Sequence, residues 1–538
     1  MHTETILEAQ AQIDHEIQAL KDRIRQLLHS RNALAHANQL PAELLVTIFK
    51  FYQRELVSRM RPEIVPWIYI THVCHRWRSL AFDSKALWTN IPINHSAYAK
   101  IASQLSDPLP VFVFGPRWSK TNSLTAGKQI FFLSLLQRTR KVDVASHPLQ
   151  FFMEKLVDAP TKTLPLIEEI KFTDLNKSVV KSPFPRTLKS LTLAQSSFEW
   201  SWFRGLNHLT ELHLISVKVS VSVAAFVSYM LGIPRLSFLE ISSFFCVSEA
   251  ASASAAGTSE PEASYLDIAK PSSAHQRSRP TAFLSLTDLV LRRSSPAQPV
   301  TEFLSSINFD QEFTFTVDLP LNNPKEGYNF FSSIRHHLNA SRHAIRHVVL
   351  DHSRDWGIDR ATLSCFDHVS SATPFLCIKA SFSAAVSRLW LDWIQALPLQ
   401  NLELLSTNAF TNSKAWQNSD SQYRIRHLEN LQELVLEDEK SSRAFLDYLA
   451  TDVDLTTRLD DWNSVAFPSL KKVTLKGLDS VTEGELAAFI GRAQHGHKLE
   501  EIILRDSPVD CEAITQLSTV IEKVTDLKIA AERTYRKW

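Results

Sequence analysis

The chain has 538 residues, 44% of them hydrophobic and 21% charged, the composition of a soluble folded protein longer than one ordinary domain. Fifty-eight basic against 57 acidic residues leave a net charge of +1, so no overall field draws the chain to nucleic acid or to an anionic membrane. Only 11 glycines occur, without a G-x-G-x-x-G or P-loop pattern, and the five cysteines form no C-x-x-C pair, which speaks against nucleotide chemistry and against a disulfide framework.

In chain order, residues 4–36 carry Ile6, Ile13, Leu20, Leu27 and Leu34 at strict seven-residue spacing, with Ile17 and Ile24 at complementary heptad positions. This predicts a helix with a short coiled-coil seam, interrupted at the complementary positions by Gln10 and Arg31. Self-association and packing against the rest of the chain would use the same seam, so both stay open. A second helix is predicted from Pro41, where a missing N–H costs nothing, with Glu43 near the positive end of the dipole. Its apolar residues Leu44, Leu45, Ile48, Phe49, Tyr52 and Leu56 recur at three- and four-residue spacing, and a further helix carries Ile70, Val73, Cys74, Trp77, Leu80 and Ala81. Each of these residues taken singly reads as core. Together they are more apolar surface than a unit of about 50 residues covers by its own folding, which implies a partner.

The order Leu40, Pro41, Glu43, Leu44, Leu45, Ile48, Phe49, then Cys74, Trp77, Leu80, Ala81, then Leu87 and Trp88 resembles an F-box, in the form found in mushroom-type (basidiomycete) fungal F-box proteins. The resemblance departs in the middle, where residues 53–69 are polar and contain Pro62 and Pro66. It implies docking to a Skp-like adaptor, and through it a cullin-RING ubiquitin ligase, by Leu40, Pro41, Leu44, Leu45, Ile48, Phe49, Trp77 and Leu80.

Beyond the F-box-like stretch, VFVF at 111–114 predicts a short strand and Gln129–Arg138 a helix. A motif of the form apolar-x-x-apolar-x-apolar then recurs, starting at Ile167, Leu188, Leu209, Leu236, Leu286, Ile345, Leu399, Leu431, Leu470, Leu499 and Val524. The first spacings, 21, 21 and 27 residues, fall within the range of leucine-rich repeats, in which each copy supplies a parallel strand that only its neighbours can bury. Helices are predicted between strands at Ala444–Leu449 and Leu486–Ile490, the latter opened by Thr482 and Glu485 in capping-box spacing. The position that is Asn in regular leucine-rich repeats is here Ser196, Val217, Phe244, Ser294, Glu439 or Leu478, so no asparagine ladder is expected. Gaps of 50, 59 and 54 residues between starts predict unmatched strands, with FTFTVDL (313–319) and FLCIKAS (375–381) as candidates. An α/β domain whose strands share the motif is the plainer alternative. Residues 248–280, rich in Ser, Ala and Pro, read as a surface loop, either solvated filler or a phosphorylated regulatory segment.

The fold class expected is therefore α/β: an N-terminal helix (1–36), an all-α F-box (37–95) and an irregular leucine-rich-repeat-like solenoid with a parallel sheet (96–538). The residue between the last two apolar positions of each copy should face outward, giving Thr192, His213, Glu240, Val290, Val349, Val435, Thr474 and Ile503. This row turns apolar toward the C-terminus, which marks Val290, Val349, Val435, Thr474 and Ile503 as contacts for a substrate protein.

His336, His337, His343 and His347 cluster with Arg335, Arg342 and Arg346, but no Cys or carboxylate completes a ligand set, so a solvated basic face is expected and no metal or cofactor. Trp200, Trp202 and Phe203 read as a core cap or an exposed patch. No catalytic constellation is visible. Without a charged-then-apolar leader or a run of about 18 apolar residues, an intracellular protein of cytoplasm or nucleus is expected. The F-box resemblance implies a non-enzymatic substrate-recognition adaptor of an SCF-type ubiquitin ligase; an interaction module outside any ligase is the alternative, and an enzyme a distant third.

Overall fold

Short apolar motifs have nothing to bury against except each other, and in this chain they stack as neighbouring parallel strands. The computed structural model describes residues 2–59, 66–92, 96–115, 126–145, 166–173, 184–196, 198–217, 221–242, 281–282, 286–292, 297–308, 313–321, 324–341, 343–355, 358–382, 397–408, 428–459, 466–478, 480–507 and 511–526. These form two units, Met1–His208 and Leu209–Trp538. The segment 248–280 read as a surface loop lies outside the described residues.

In the first unit, α1 (His2–Ala33) is followed by α2 (His36–Gln39), α3 (Ala42–Arg59), a 3₁₀ turn at Pro66–His72, α4 (His75–Asp83) and a second 3₁₀ turn at Lys85–Trp88. Helices α5 (Ser96–Leu105) and α6 (Ala126–Leu135) alternate with strands β1 (Asn90–Pro92), β2 (Val111–Phe114), β3 (Thr139–Ala145), β4 (Glu169–Thr173) and β5 (Ser190–Ala194). The five strands pair in chain order, all parallel. Two rows of side chains run across them, Val142–Ile170–Leu191 and Val144–Phe172–Leu193, all buried. Each such residue contributes about 2 kcal/mol by leaving water. Trp200, Trp202 and Phe203 close this core; Phe184 bridges Phe172 (6.2 Å) and Trp202 (5.9 Å), so these aromatics cap the core and offer no surface patch.

One expectation is corrected here. Residues 37–95 are not all-α, because Asn90–Pro92 is extended and pairs with Phe112–Phe114, with Ile91 fully buried. The helical segment thereby joins the sheet.

In the second unit the strands are β6 (Glu211–Ile215), β7 (Phe238–Ser242), β8 (Thr281–Ala282), β9 (Asp288–Arg292), β10 (Ile307–Asn308), β11 (Thr314–Pro320), β12 (His347–Asp355), β13 (Ile358–Phe366), β14 (Leu376–Phe382), β15 (Leu404–Thr407), β16 (Glu433–Leu436), β17 (Lys472–Lys476), β18 (Glu501–Arg505) and β19 (Lys523–Asp526). Strands β8 and β10 form a small separate pair. The others form one sheet in the order β6, β7, β9, β11, β14, β13, β12, β15, β16, β17, β18, β19. Helices Val223–Leu231, Ala297–Ser305, Pro324–Ala340, Glu439–Leu459, Glu483–Gln494 and Cys511–Val520 alternate with these strands. Thr482 and Glu485 form the expected capping box, and Glu485 also takes an ion pair from Arg443 at 3.1 Å.

FTFTVDL and FLCIKAS are strands as expected, β11 and β14. The expectation of purely parallel pairing is corrected: β12, β13 and β14 are antiparallel in succession, so β11 pairs with β14 while β12 passes on to β15. Strand β13, IDRATLSCF, was not among the expected strands; it buries Ala361, Leu363 and Cys365 in strict alternation. Two motif copies are also shifted. Leu405 aligns with Val348 and Leu434, and Val524 with Ile502, so these copies start at Leu402 and Ile521, three residues from the positions read in the sequence. The observed frames place Thr407 and Asp526 where the motif has its third apolar residue, so the pattern alone favours the neighbouring frame, while Leu402, Leu405 and Ile521 are buried in the frame observed.

A buried cation ties one repeat to the next. Arg492, 1% exposed, donates to the carbonyls of Ala466 (2.6 Å) and Phe467 (2.8 Å), while the Ala466 N–H donates to Asp452 (3.0 Å). Phe467 has φ +53°, so Arg492 secures a turn held in the left-handed region just before β17. Burial pushes Arg492 down to about 10, opposed by Asp452, and it remains charged at neutral pH. Replacing Arg492 by Met leaves two buried carbonyls and a buried carboxylate without their cation, so the urea midpoint should fall by the equivalent of about 3 kcal/mol.

Candidate protein-binding surfaces

On α3, neighbouring residues point about 100° apart, and this separates the expected docking set into two groups. Leu45, Phe49 and Gln53 face inward: the Phe49 ring lies 5.1 Å from Trp77, and Gln53 donates to the Leu87 carbonyl at 2.8 Å. Leu44, Ile48, Phe51 and Tyr52 face water, Leu44 at 51% and Phe51 at 66% exposure. Tyr69 and Val73 are also exposed, at and just beyond the 3₁₀ turn that packs against α3. Leu45 and Phe49, both expected among the docking residues, are buried within the chain, and Phe49 packs on Trp77 of α4.

Half-buried Trp77 has a positioning role, donating its indole N–H to Asn38 Oδ1 at 2.7 Å. Arg76 donates to the Leu40 carbonyl at 2.7 Å, so α4 clamps the α2–α3 junction. Leu40 and Leu80 are half-buried and Pro41 is exposed. Below them Trp88 is enclosed by Trp67 (5.1 Å), Phe82 (5.1 Å) and Tyr98 (5.9 Å), and burial pushes the Tyr98 hydroxyl well above its usual range, so it stays neutral.

In the second unit, strand register brings the outward residues into one row: His213, Glu240, Val290, Thr316, Cys377, Ser364, Val349, Ser406, Val435, Thr474, Ile503 and Thr525. Thr192, on β5 of the first unit, is half-buried. The row opens charged, with Glu240 held between His213 (2.8 Å) and Arg292 (3.0 Å). From Val349 onward it alternates aliphatic and hydroxyl: Val, Ser, Val, Thr, Ile, Thr. Sequence reading found the aliphatics and missed Ser406 because of the shifted frame.

Thr474, expected as a contact residue, is buried. It is 1% exposed, a short side chain flanked in register by Val435 and Ile503, whereas those two and Val349 are only half-buried. Two residues earlier on each strand, Glu433, Lys472, Glu501 and Lys523 form an alternating ion-pair row, with Lys472 2.9 Å from Glu433 and Lys523 2.5 Å from Glu501. An aliphatic–hydroxyl stripe thus runs beside a fully compensated charged border.

The clustered histidines have separate environments. His337 Nε2 lies 2.7 Å from the Leu304 carbonyl, His343 stacks on Phe375 (4.6 Å) and bonds Asp367, and His347 opens β12 and stacks on Phe366 (4.7 Å). Among the described residues no group of His, Cys, Asp and Glu is placed to hold a metal ion, and no helix is long and apolar enough to cross a membrane. Cys74, Cys365 and Cys377 are free thiols, and burial holds the Cys365 thiol protonated.

Burial lowers His337 from 6.5 to about 4. The neutral ring is the form the fold keeps, so its stabilisation is whole above pH 6.5 and is lost as pH falls toward 4, on the order of 3 kcal/mol. His337→Gln, which keeps a donor but does not titrate in this range, should flatten the fall of the urea midpoint between pH 7 and pH 4.5.

No family model matches this chain, and no curated protein does either. Among solved structures, a leucine-rich-repeat protein of Leptospira interrogans overlaps 79% of this chain and 91% of its own, at 12% identity and a TM-score of 0.28. The repeat character described here stands on this chain's strand order: motif copies forming adjacent parallel strands, with helices between them.

Proposed function

We propose that the chain is the substrate-recognition subunit of an SCF-type ubiquitin ligase, docking a Skp-like adaptor through residues 40–92 and a substrate protein through the outward row of the Leu209–Trp538 unit. The observation that carries the reading is the apolar face of α3, formed by Leu44, Ile48, Phe51 and Tyr52 and left in water within a segment whose residue order resembles an F-box. Folding has already consumed Leu45 and Phe49, so the outward residues are what a partner would cover. The stripe around Val349, Val435 and Ile503 offers half-buried aliphatics beside paired charges, a surface suited to another protein. The chain needs no chemistry of its own: holding a substrate lysine near a charged ubiquitin carrier raises its effective concentration.

Co-purification with a Skp adaptor tests the first contact. The wild-type chain should capture it; Leu44→Asp/Ile48→Asp should abolish capture at a cost of several kcal/mol, with an unchanged circular dichroism spectrum because both residues are exposed. A folded wild-type chain that captures none removes the ligase reading and leaves an interaction module. For the second contact, Val435→Lys/Ile503→Lys should release proteins retained by the wild-type chain while leaving adaptor capture intact.

A further inference from the structure

Helix α1 presents an apolar seam that nothing among the described residues of its unit covers. Ile6, Ile13, Leu20 and Leu27 are each 56–58% exposed, and Ile17 and Ile24 between them are 43% and 56% exposed. In heptad terms the first four are d positions and the last two are a positions. A contact of α1 with α4 goes through His29, whose ring lies 6.1 Å from His75. His29 is an f position, on the side opposite the seam.

The charges on α1 are polarised. Residues 2–18 hold Glu4, Glu8, Asp14 and Glu16 and no Lys or Arg, whereas residues 19–33 hold Lys21, Arg23, Arg25 and Arg31 against Asp22 alone. Complementing the helix dipole accounts for charges in the first and last turns, since that effect fades within a turn. It does not account for Asp14, Glu16, Lys21 and Arg23, which lie mid-helix. Those four occupy the e and g positions that flank the seam. Asp22 and Arg25 pair with each other at 2.5 Å on the outer face.

We propose that α1 docks on α1 of a second copy of this chain, as an antiparallel two-helix coiled coil in which Ile17 packs against the second copy's Leu20. Independent features select this register. Core layers pair Ile17 with Leu20 and Ile24 with Ile13, and Gln10 and Arg31 fall in the end layers, open to water. The flanking pairs become Glu16 with Arg23 and Asp14 with Lys21, each occurring twice by symmetry, all attractive. Leu7 and Leu28, exposed e positions that an isolated helix leaves unexplained, meet each other in the same register. A parallel pair instead stacks Arg31 on its own copy inside the core, sets Arg23 against Leu28, and keeps only the Glu16–Lys21 pair. The overlap from Ile6 to Arg31 is about 40 Å long, enough for a stable pair when flanking charges agree.

The test is the mass of the full chain by sedimentation equilibrium at about 50 μM, a concentration that resolves micromolar association. The wild type should sediment as two chains. Ile17→Asp/Leu20→Asp should sediment as one, and Glu16→Arg should weaken pairing at least tenfold by setting like charges together. The double swap Glu16→Arg/Arg23→Glu restores every antiparallel pair but opposes Lys21 in a parallel one, so it should return the dimer. A monomeric wild type, a dimer that survives the seam substitutions, or a double swap that stays monomeric each overturns the proposal. Adaptor capture is read separately on the same variants, since α1 pairing does not depend on it.

Discussion

The whole arrangement depends on one constraint: a single motif copy cannot bury its own apolar edge. Leu434 and Leu436 of β16 are fully buried because β15 and β17 stand on either side, and the same holds along the second unit. Stability is then a sum of nearest-neighbour terms. The inward side of each strand is fixed by that requirement, which leaves its outward side available for recognition. It also explains why links between repeats, such as Arg492 reaching the Ala466–Phe467 turn, matter out of proportion to their number.

Much of this was legible from period alone. Seven-residue spacing identified α1, and twenty-odd-residue spacing identified the strands, because both periods arise from packing geometry. What period does not encode is direction and frame. An alternating strand reads the same whether its neighbour is parallel or antiparallel, so the direction of the β12–β13 hairpin was not legible, and the copies at Leu402 and Ile521 carry Thr407 and Asp526 in place of the third apolar residue, so the motif fitted only the neighbouring frame. Periodicity likewise identified the apolar set of α3 without saying that Leu45 turns inward while Leu44 turns out.

The candidate surfaces show how composition and placement differ. The overall balance of 58 basic and 57 acidic residues suggested no electrostatic character at all. In place, those charges are sorted: alternating Glu and Lys across β16–β19, a His–Glu–Arg group on β6, β7 and β9, and an acid-to-base gradient along α1. Across the strands neutrality results from local pairing, and those pairs add to the register that burial of one sheet face already sets.

The out-of-order excursion of β12 and β13 bears on how the chain is made. Synthesis proceeds from the N-terminus at roughly 5–20 residues per second. Strand β11 ends at Pro320, but its partner β14 is complete only at Phe382, and the two intervening strands belong elsewhere in the sheet. For several seconds the growing sheet therefore carries a bare edge at β11, the most aggregation-exposed moment in its assembly. The hairpin that interrupts the parallel order thus makes a nascent-chain chaperone most useful between residues 320 and 382.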